Sequence, residues 1–260
     1  MLKSPIPIYV CSIAFVVGVP SAANPGPTGE TASAALSTAR RHRNVLSKKQ
    51  SFTLPVPPKQ GMKFVTSYIR NNDDRLVSVR SRSEGPFAII DSVLDRYRLP
   101  LQLKYLAVIE SELKATARSR VGARGPWQLM PSTAHVLGLK VNRKLDERTN
   151  YYKSTQAAAE YLSDLHREFG DWLLVLAAYN GGPRPVYRAI HRSHSRNFWT
   201  LQRYLPAESR RHVKKFIATA YYFEGADNTV SATESENEKF KRLMRESAAS
   251  LKASRDHRAG

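Results

Sequence analysis

Cysteine is almost absent: the 260 residues carry one, Cys11. No disulfide framework can form, so a chain of this length is held by its own core. Acidic residues are scarce, 22 against 41 lysines and arginines, for a formal net charge of +19. Such a surface suits an anionic partner: nucleic acid, an acidic membrane surface or an anionic polymer. The seven histidines show no metal-ligand spacing, so neither a metal nor another cofactor is expected. Long apolar runs are missing as well, since the run over 6–19 is too short for a comfortable membrane span. No internal repeat is visible.

What is present begins with an export pattern. Lys3 forms a small positive start, 6–19 an apolar centre, and Pro20-Ser21-Ala22-Ala23 offers small residues for cleavage. This predicts a signal peptide over 1–23 and a periplasmic or cell-envelope location, with an uncleaved anchor as the alternative. Cys11 lies inside the apolar run rather than after small residues at its end, so no lipid is expected. Export also argues against nucleic acid as the partner of the basic surface.

Residues 24–60 are rich in Pro, Ala, Ser and Thr, then turn basic at Arg40-Arg41-His42-Arg43 and Lys48-Lys49. That composition reads as a flexible basic linker. A helical N-terminal extension is expected over 61–100, a main domain over 101–223, and a polar tail over 224–260. Within the domain, 101–113 reads as a helix with Tyr105, Leu106, Ile109 and Leu113 on one stripe. Residues 118–125 form a glycine-punctuated loop with a small irregular or β-hairpin element. Pro131 opens a short helix that Gly138 closes. Residues 156–169 make an amphipathic helix stopped by Gly170. Asp171 caps a run from Trp172 that is apolar on every side and therefore central to the core. Pro185 starts another helix, and 209–223 a basic one with Val213, Phe216, Ile217 and Ala220 inward. The fold class is mainly α.

Glu110 borders the stripe of 101–113, four residues after Leu106 and three before Leu113, whereas Glu112 points to nearly the opposite side. A partly desolvated carboxyl is a candidate general acid. Tyr179 and Asn180 end the most apolar helix and lead into Gly181-Gly182, while Trp127 and Gln128 follow Gly122 and Gly125. Aromatic rings beside amides and hydroxyls, with glycines allowing close approach, suit a sugar-binding cleft.

Glu110-Ser111, then Gly125-x-Trp127-Gln128-x-Met130 with Thr133-Ala134, then Ala178-Tyr179-Asn180-x-Gly182 resemble the lytic transglycosylase domain of the soluble lytic transglycosylase superfamily. Within it, their order and spacing are most like the membrane-bound lytic murein transglycosylases of type D. The resemblance covers about 89–222. Ala207-Glu208-Ser209-Arg210 is similar to the family's Glu-Thr-Arg step with serine for threonine, and Lys214 stands where a proline is common. The resemblance implies a lysozyme-like helical fold and cleavage of the β-1,4 bond between N-acetylmuramic acid and N-acetylglucosamine in peptidoglycan strands. It implies Glu110 as the catalytic acid/base, with Ser111, Gln128, Met130, Tyr179 and Asn180 as substrate-binding residues. No nucleic acid partner is expected, and the basic surface would meet the anionic wall or a membrane surface. The alternatives are a lysozyme-like hydrolase and a non-catalytic wall-binding protein.

Overall fold

The computed structural model describes Phe52 and residues 55–225. The predicted signal peptide, most of the predicted linker and the tail after 225 lie outside the described residues. The described part is helical: α1 (Lys59–Asn71), α2 (Asp73–Ser81), α3 (Glu84–Arg96), α4 (Lys104–Ser111), α5 (Pro131–Val136), α6 (Tyr151–Phe169), α7 (Trp172–Gly181), α8 (Pro183–Ser193), α9 (Phe198–Leu201) and α10 (Ala207–Glu224). Three 3-10 turns, Leu101–Leu103, Glu147–Thr149 and Gln202–Tyr204, join them. The only strand-like features among the described residues are isolated bridges, Arg118 with Arg124, Arg124 with Leu129, and Val141 with Asp146. The small irregular element predicted there is thus a bridged loop.

α7 is the centre. Every residue from Trp172 to Asn180 is buried, as a helix apolar all round requires. Its start is fixed as predicted, by the Asp171 carboxylate accepting from the Leu174 N–H at 3.0 Å. α6 packs against it, its inner face carrying Ala158, Leu162, Leu165 and Phe169. Gly170, at φ +69°, ends α6 in a conformation that glycine adopts without strain. α10 crosses α7, α4 and α1, burying Val213, Phe216, Ile217 and Ala220 as its periodicity predicts.

Several boundaries differ from the sequence reading. The helix read over 101–113 is a 3-10 turn followed by α4, which stops at Ser111 because Glu112 and Leu113 both take left-handed conformations. α4 is buried on most of its sides, through Tyr105, Leu106, Ala107 and Val108, rather than along one stripe. α8 begins at Pro183, two residues before the proline taken as its start.

The segment 61–100 is no appendage. Val65, Ile69, Val79, Ile90, Val93 and Leu94 join the same core as α7, and α1 packs along α10. The last residues of the expected linker also belong to this body. The Phe52 ring lies 6.4 Å from Trp172 and 6.0 Å from Phe216, and Tyr221 donates to the Pro55 carbonyl. Lys59 and Gln60 already open α1.

Candidate active site

Glu110 sits one residue before the end of α4, its side chain 14% exposed. The His212 Nε2, from the middle of α10, lies 2.8 Å from Glu110 Oε1. His212 is nearly buried, and its Nδ1 has no hydrogen-bond partner among the described residues. The two groups stand at hydrogen-bond distance, and the tautomer of the ring sets which of them donates. Lys215, one turn further on α10, feels the same carboxylate. Burial holds its ammonium below the usual lysine range, helped by Arg211 and Arg75 and opposed by Glu110 and Glu208.

Glu112 is separated from this pair by the turn that ends α4. Its carboxylate meets Arg75 at 2.5 Å, Lys114 at 2.9 Å and Arg82 at 3.6 Å. Burial opposes its ionisation, yet the Lys114 hydrogen bond and the Arg75 charge hold it below the ordinary glutamate value. Left-handed backbone at Glu112 and Leu113 costs on the order of 1–2 kcal/mol per residue, and Gln128 adds a third such site at φ +47°. Strain of this kind persists where surrounding contacts over-determine it and gathers at functional sites. Two of the five non-glycine sites of this kind among the described residues, Glu112 and Leu113, follow Glu110 within three residues.

The loop over 117–130 is fastened to the helices through its own carbonyls. Ser111 Oγ lies 2.8 Å from the Pro126 carbonyl and 3.1 Å from that of Ala107. Tyr179 donates its hydroxyl to the Trp127 carbonyl at 2.8 Å. Gln128 gives its side-chain amide to Gly125 and Ala117. Trp127, fully buried, donates its indole N–H to Thr155 of α6. Arg148 is buried and reaches the carbonyls of Gly122 and Leu129 while paired with Asp146 at 2.7 Å. The Arg148 hydrogen bond is the main reason that the Asp146 carboxyl lies below the usual aspartate range, against a partial burial penalty. Gly125 has no alternative: at φ +83°, a Cβ would stand 1.8 Å from the Arg148 carbonyl oxygen.

Of the residues expected to bind substrate, Ser111, Gln128, Tyr179 and Asn180 are all buried. The hydroxyls of Ser111 and Tyr179 engage the loop carbonyls of Pro126 and Trp127. Asn180 does not terminate α7, which runs through Gly181; its Oδ1 accepts from Ser209 Oγ at 3.0 Å, joining α7 to α10. Gly181 permits that approach, since a Cβ there would meet Ser209 Oγ at 2.5 Å. Met130, at the start of α5, is the one of the five that stays partly exposed. The arrangement brings Glu110 together with the three motifs, but as an acid on a clamped scaffold.

His212, Lys215, Asp146 and Arg148 were not foreseen. The signal for His212 lies in spacing: it stands three residues after Ser209 on one helix, so the step that meets Asn180 also turns His212 toward the same side.

Residues 89–202 match the family model for the Transglycosylase SLT domain. The chain is 37% identical over 156 residues to membrane-bound lytic murein transglycosylase D of Escherichia coli (strain K12), a match covering 58% of this chain and 34% of that protein. It therefore spans about a third of that relative's length. A putative tributyltin chloride resistance protein of Alteromonas sp. (strain M-1) is 35% identical over 111 residues, 42% of this chain and 54% of that one. Among solved structures, the complex of the 70-kDa soluble lytic transglycosylase with bulgecin A aligns with a TM-score of 0.50 at 21% identity, covering 78% of this chain and 36% of that chain. That likeness concerns the fold, and it agrees with the mainly α, lysozyme-like architecture expected. With three motifs in order around Glu110, residues 89–202 are similar to the Transglycosylase SLT domain family.

Proposed function

We propose that this protein is an exported lytic transglycosylase that cleaves the β-1,4 bond between N-acetylmuramic acid and N-acetylglucosamine in peptidoglycan of the cell envelope. The observation that carries the reading is the Glu110–His212 contact at the junction of α4 and α10, with the neighbouring carboxylate, Glu112, already committed to three cations. An inverting hydrolase needs a second carboxylate to activate water, and a retaining one needs a nucleophile. A transglycosylase needs neither.

Glu110 gives its proton to the glycosidic oxygen as the bond from that oxygen to the anomeric carbon breaks. The N-acetyl carbonyl oxygen of the muramic acid closes on the anomeric carbon and carries the positive charge as an oxazolinium ion. The C6 hydroxyl of the same sugar then attacks the anomeric carbon, opens that ring and returns its proton to Glu110. The products are a shortened strand and a 1,6-anhydromuramyl end, with no water consumed. The tether holds O6 beside the anomeric carbon, and such proximity is worth several kcal/mol. His212 steers the Glu110 carboxyl and buffers its proton between the two steps, and Met130 offers an apolar contact to the strand.

Chain organisation follows the same reading: a signal peptide over 1–23, a basic linker that ends near Phe52, a catalytic body from there to 225, and a polar tail. The excess of cations favours adsorption to an anionic wall or membrane surface. Retention of muropeptide release by a purified Glu110→Gln protein would refute the assignment of the acid. N-terminal sequencing of the cell-derived protein checks export, with a start near Asn24 expected and a start at Met1 in the cytosol contradicting it.

A further inference from the structure

A cluster of arginines stands beside the site without serving the acid. α8 carries Arg184, Arg188 and Arg192 and no acidic residue. Four-residue spacing puts them on one stripe of the helix. Arg188 and Arg192 line a cavity of about 310 Å³ with Pro185, Tyr204, Leu205 and Pro206, and no carboxylate contributes to its wall. Both arginines are exposed, and among the described residues neither pairs with a carboxylate. Two more cations reinforce them. The Arg203 guanidinium stands 4.8 Å above the Tyr204 ring, and Arg210 donates to the Arg203 carbonyl. Of the acids that precede α8 in sequence, Asp171 caps α7 and Glu168 accepts from the Tyr187 hydroxyl.

The cavity's place on α10 ties it to the acid. Pro206 of its wall caps α10, Ser209 meets Asn180, and His212 meets Glu110. Six residues of helix separate Pro206 from His212, a rise of about 9 Å. The cavity wall and the partner of Glu110 thus share one helix.

We propose that this arginine-lined cavity is a subsite for a carboxylate of the peptide borne by the muramic acid next to the cleaved bond. The inference rests on the transglycosylase reading. A guanidinium fork matches a carboxylate in two-point hydrogen bonding, and two forks on one stripe can hold it from both sides. The anion also relieves the mutual repulsion of Arg188 and Arg192, which no protein carboxylate offsets. Pro185, Leu205 and Tyr204 supply an apolar floor for the peptide's methyl and methylene groups.

The test compares glycan strands that keep their peptides with the same strands stripped by an amidase, using the purified mature protein and its Arg188→Gln/Arg192→Gln double variant. The wild type should prefer the peptide-bearing strands. The double variant should lose that preference, its kcat/KM on them falling about tenfold to a hundredfold through KM, the scale of losing charge-assisted hydrogen bonds. Its kcat/KM on stripped strands and its Tm should not change. Equal activity of wild type and variant on peptide-bearing strands overturns the subsite, and so does an equal loss on both substrates. A loss in the double variant that disappears when phosphate-bearing polymers are extracted from the strands also overturns it, assigning the cavity to phosphate. No fragments from either substrate with the wild type would instead overturn the transglycosylase reading and the subsite with it.

Discussion

Glu110 and His212 form the smallest unit of the account. Glu110→Gln keeps the shape of the side chain and its contact with His212 but cannot donate a proton. Turnover should vanish while the melting curve and wall binding stay close to wild type. His212→Phe removes the partner while filling the space; kcat should fall about tenfold to a thousandfold with little change in KM, the scale of a group acting on developing charge. The melting temperature separates this from a packing effect, because loss of a steering contact lowers kcat at unchanged Tm. An unchanged kcat with a lowered Tm would reduce His212 to a core residue. Glu110 was legible in the sequence because motifs flank it. His212 was not, since its partner lies 102 residues away and its spacing from Ser209 gains meaning only once Ser209 is seen to meet Asn180. Tyr179 stood out in the sequence as a site candidate, but its contact with the loop did not. Its hydroxyl bonds the Trp127 carbonyl, so Tyr179→Phe should lower stability by about 1–3 kcal/mol, the cost of orphaning a buried acceptor. Activity should fall in step with stability. A loss of turnover at unchanged Tm would return Tyr179 to the substrate.

Among the elements, the clamped loop over 117–130 carries the most testable physics. Gly125→Ala would force a Cβ into the Arg148 carbonyl, and a shift of the chain would break the bonds of Arg148, Ser111 and Gln128 together. Destabilisation of more than about 3 kcal/mol, or failure to fold, is expected, read by denaturant melts. The Asp146–Arg148 pair gives a pH signature. A carboxyl depressed in the folded state contributes stability that is present above its unfolded value, about 3.9 for aspartate, and is lost as pH falls through the folded value. Asp146→Asn should therefore melt earlier than wild type at neutral pH, and the gap should close as pH drops below about 4. A gap that stays constant across that range would deny the ion pair its role. The glycines of this loop were visible in the sequence. Arg148 was not, because a buried arginine looks like any surface cation until its three-dimensional partners are known.

At the scale of the whole molecule, the helical class, the order of the longer helices from 131 onward, the Asp171 cap and the inward face of α10 followed from period and punctuation, while the short α9 did not. The integration of 59–100 did not, since amphipathic helices announce an apolar face without saying what covers it. Val65 and Ile69 bury against the core that α10 completes. A chain beginning at Glu84 should accordingly express poorly or lose cooperative melting, whereas one beginning at Ser51 should melt like the longer protein. Independent folding of the shorter chain would show 59–83 to be an appendage after all. The charge of +19 predicts that binding to anionic sacculi weakens steeply with salt while turnover of soluble fragments changes less.

The central claim is that one acid, paired with a histidine and not with a second carboxylate, drives cleavage by an internal hydroxyl. Purified sacculi digested with the mature protein, without added metal, test it through mass spectrometry and reducing-end labelling of the fragments. The account predicts 1,6-anhydromuramyl peptides, one water lighter than hydrolytic fragments and without new reducing ends, and none from the Glu110→Gln protein. Predominantly hydrated, reducing muropeptides would contradict it and make the protein a lysozyme-like hydrolase.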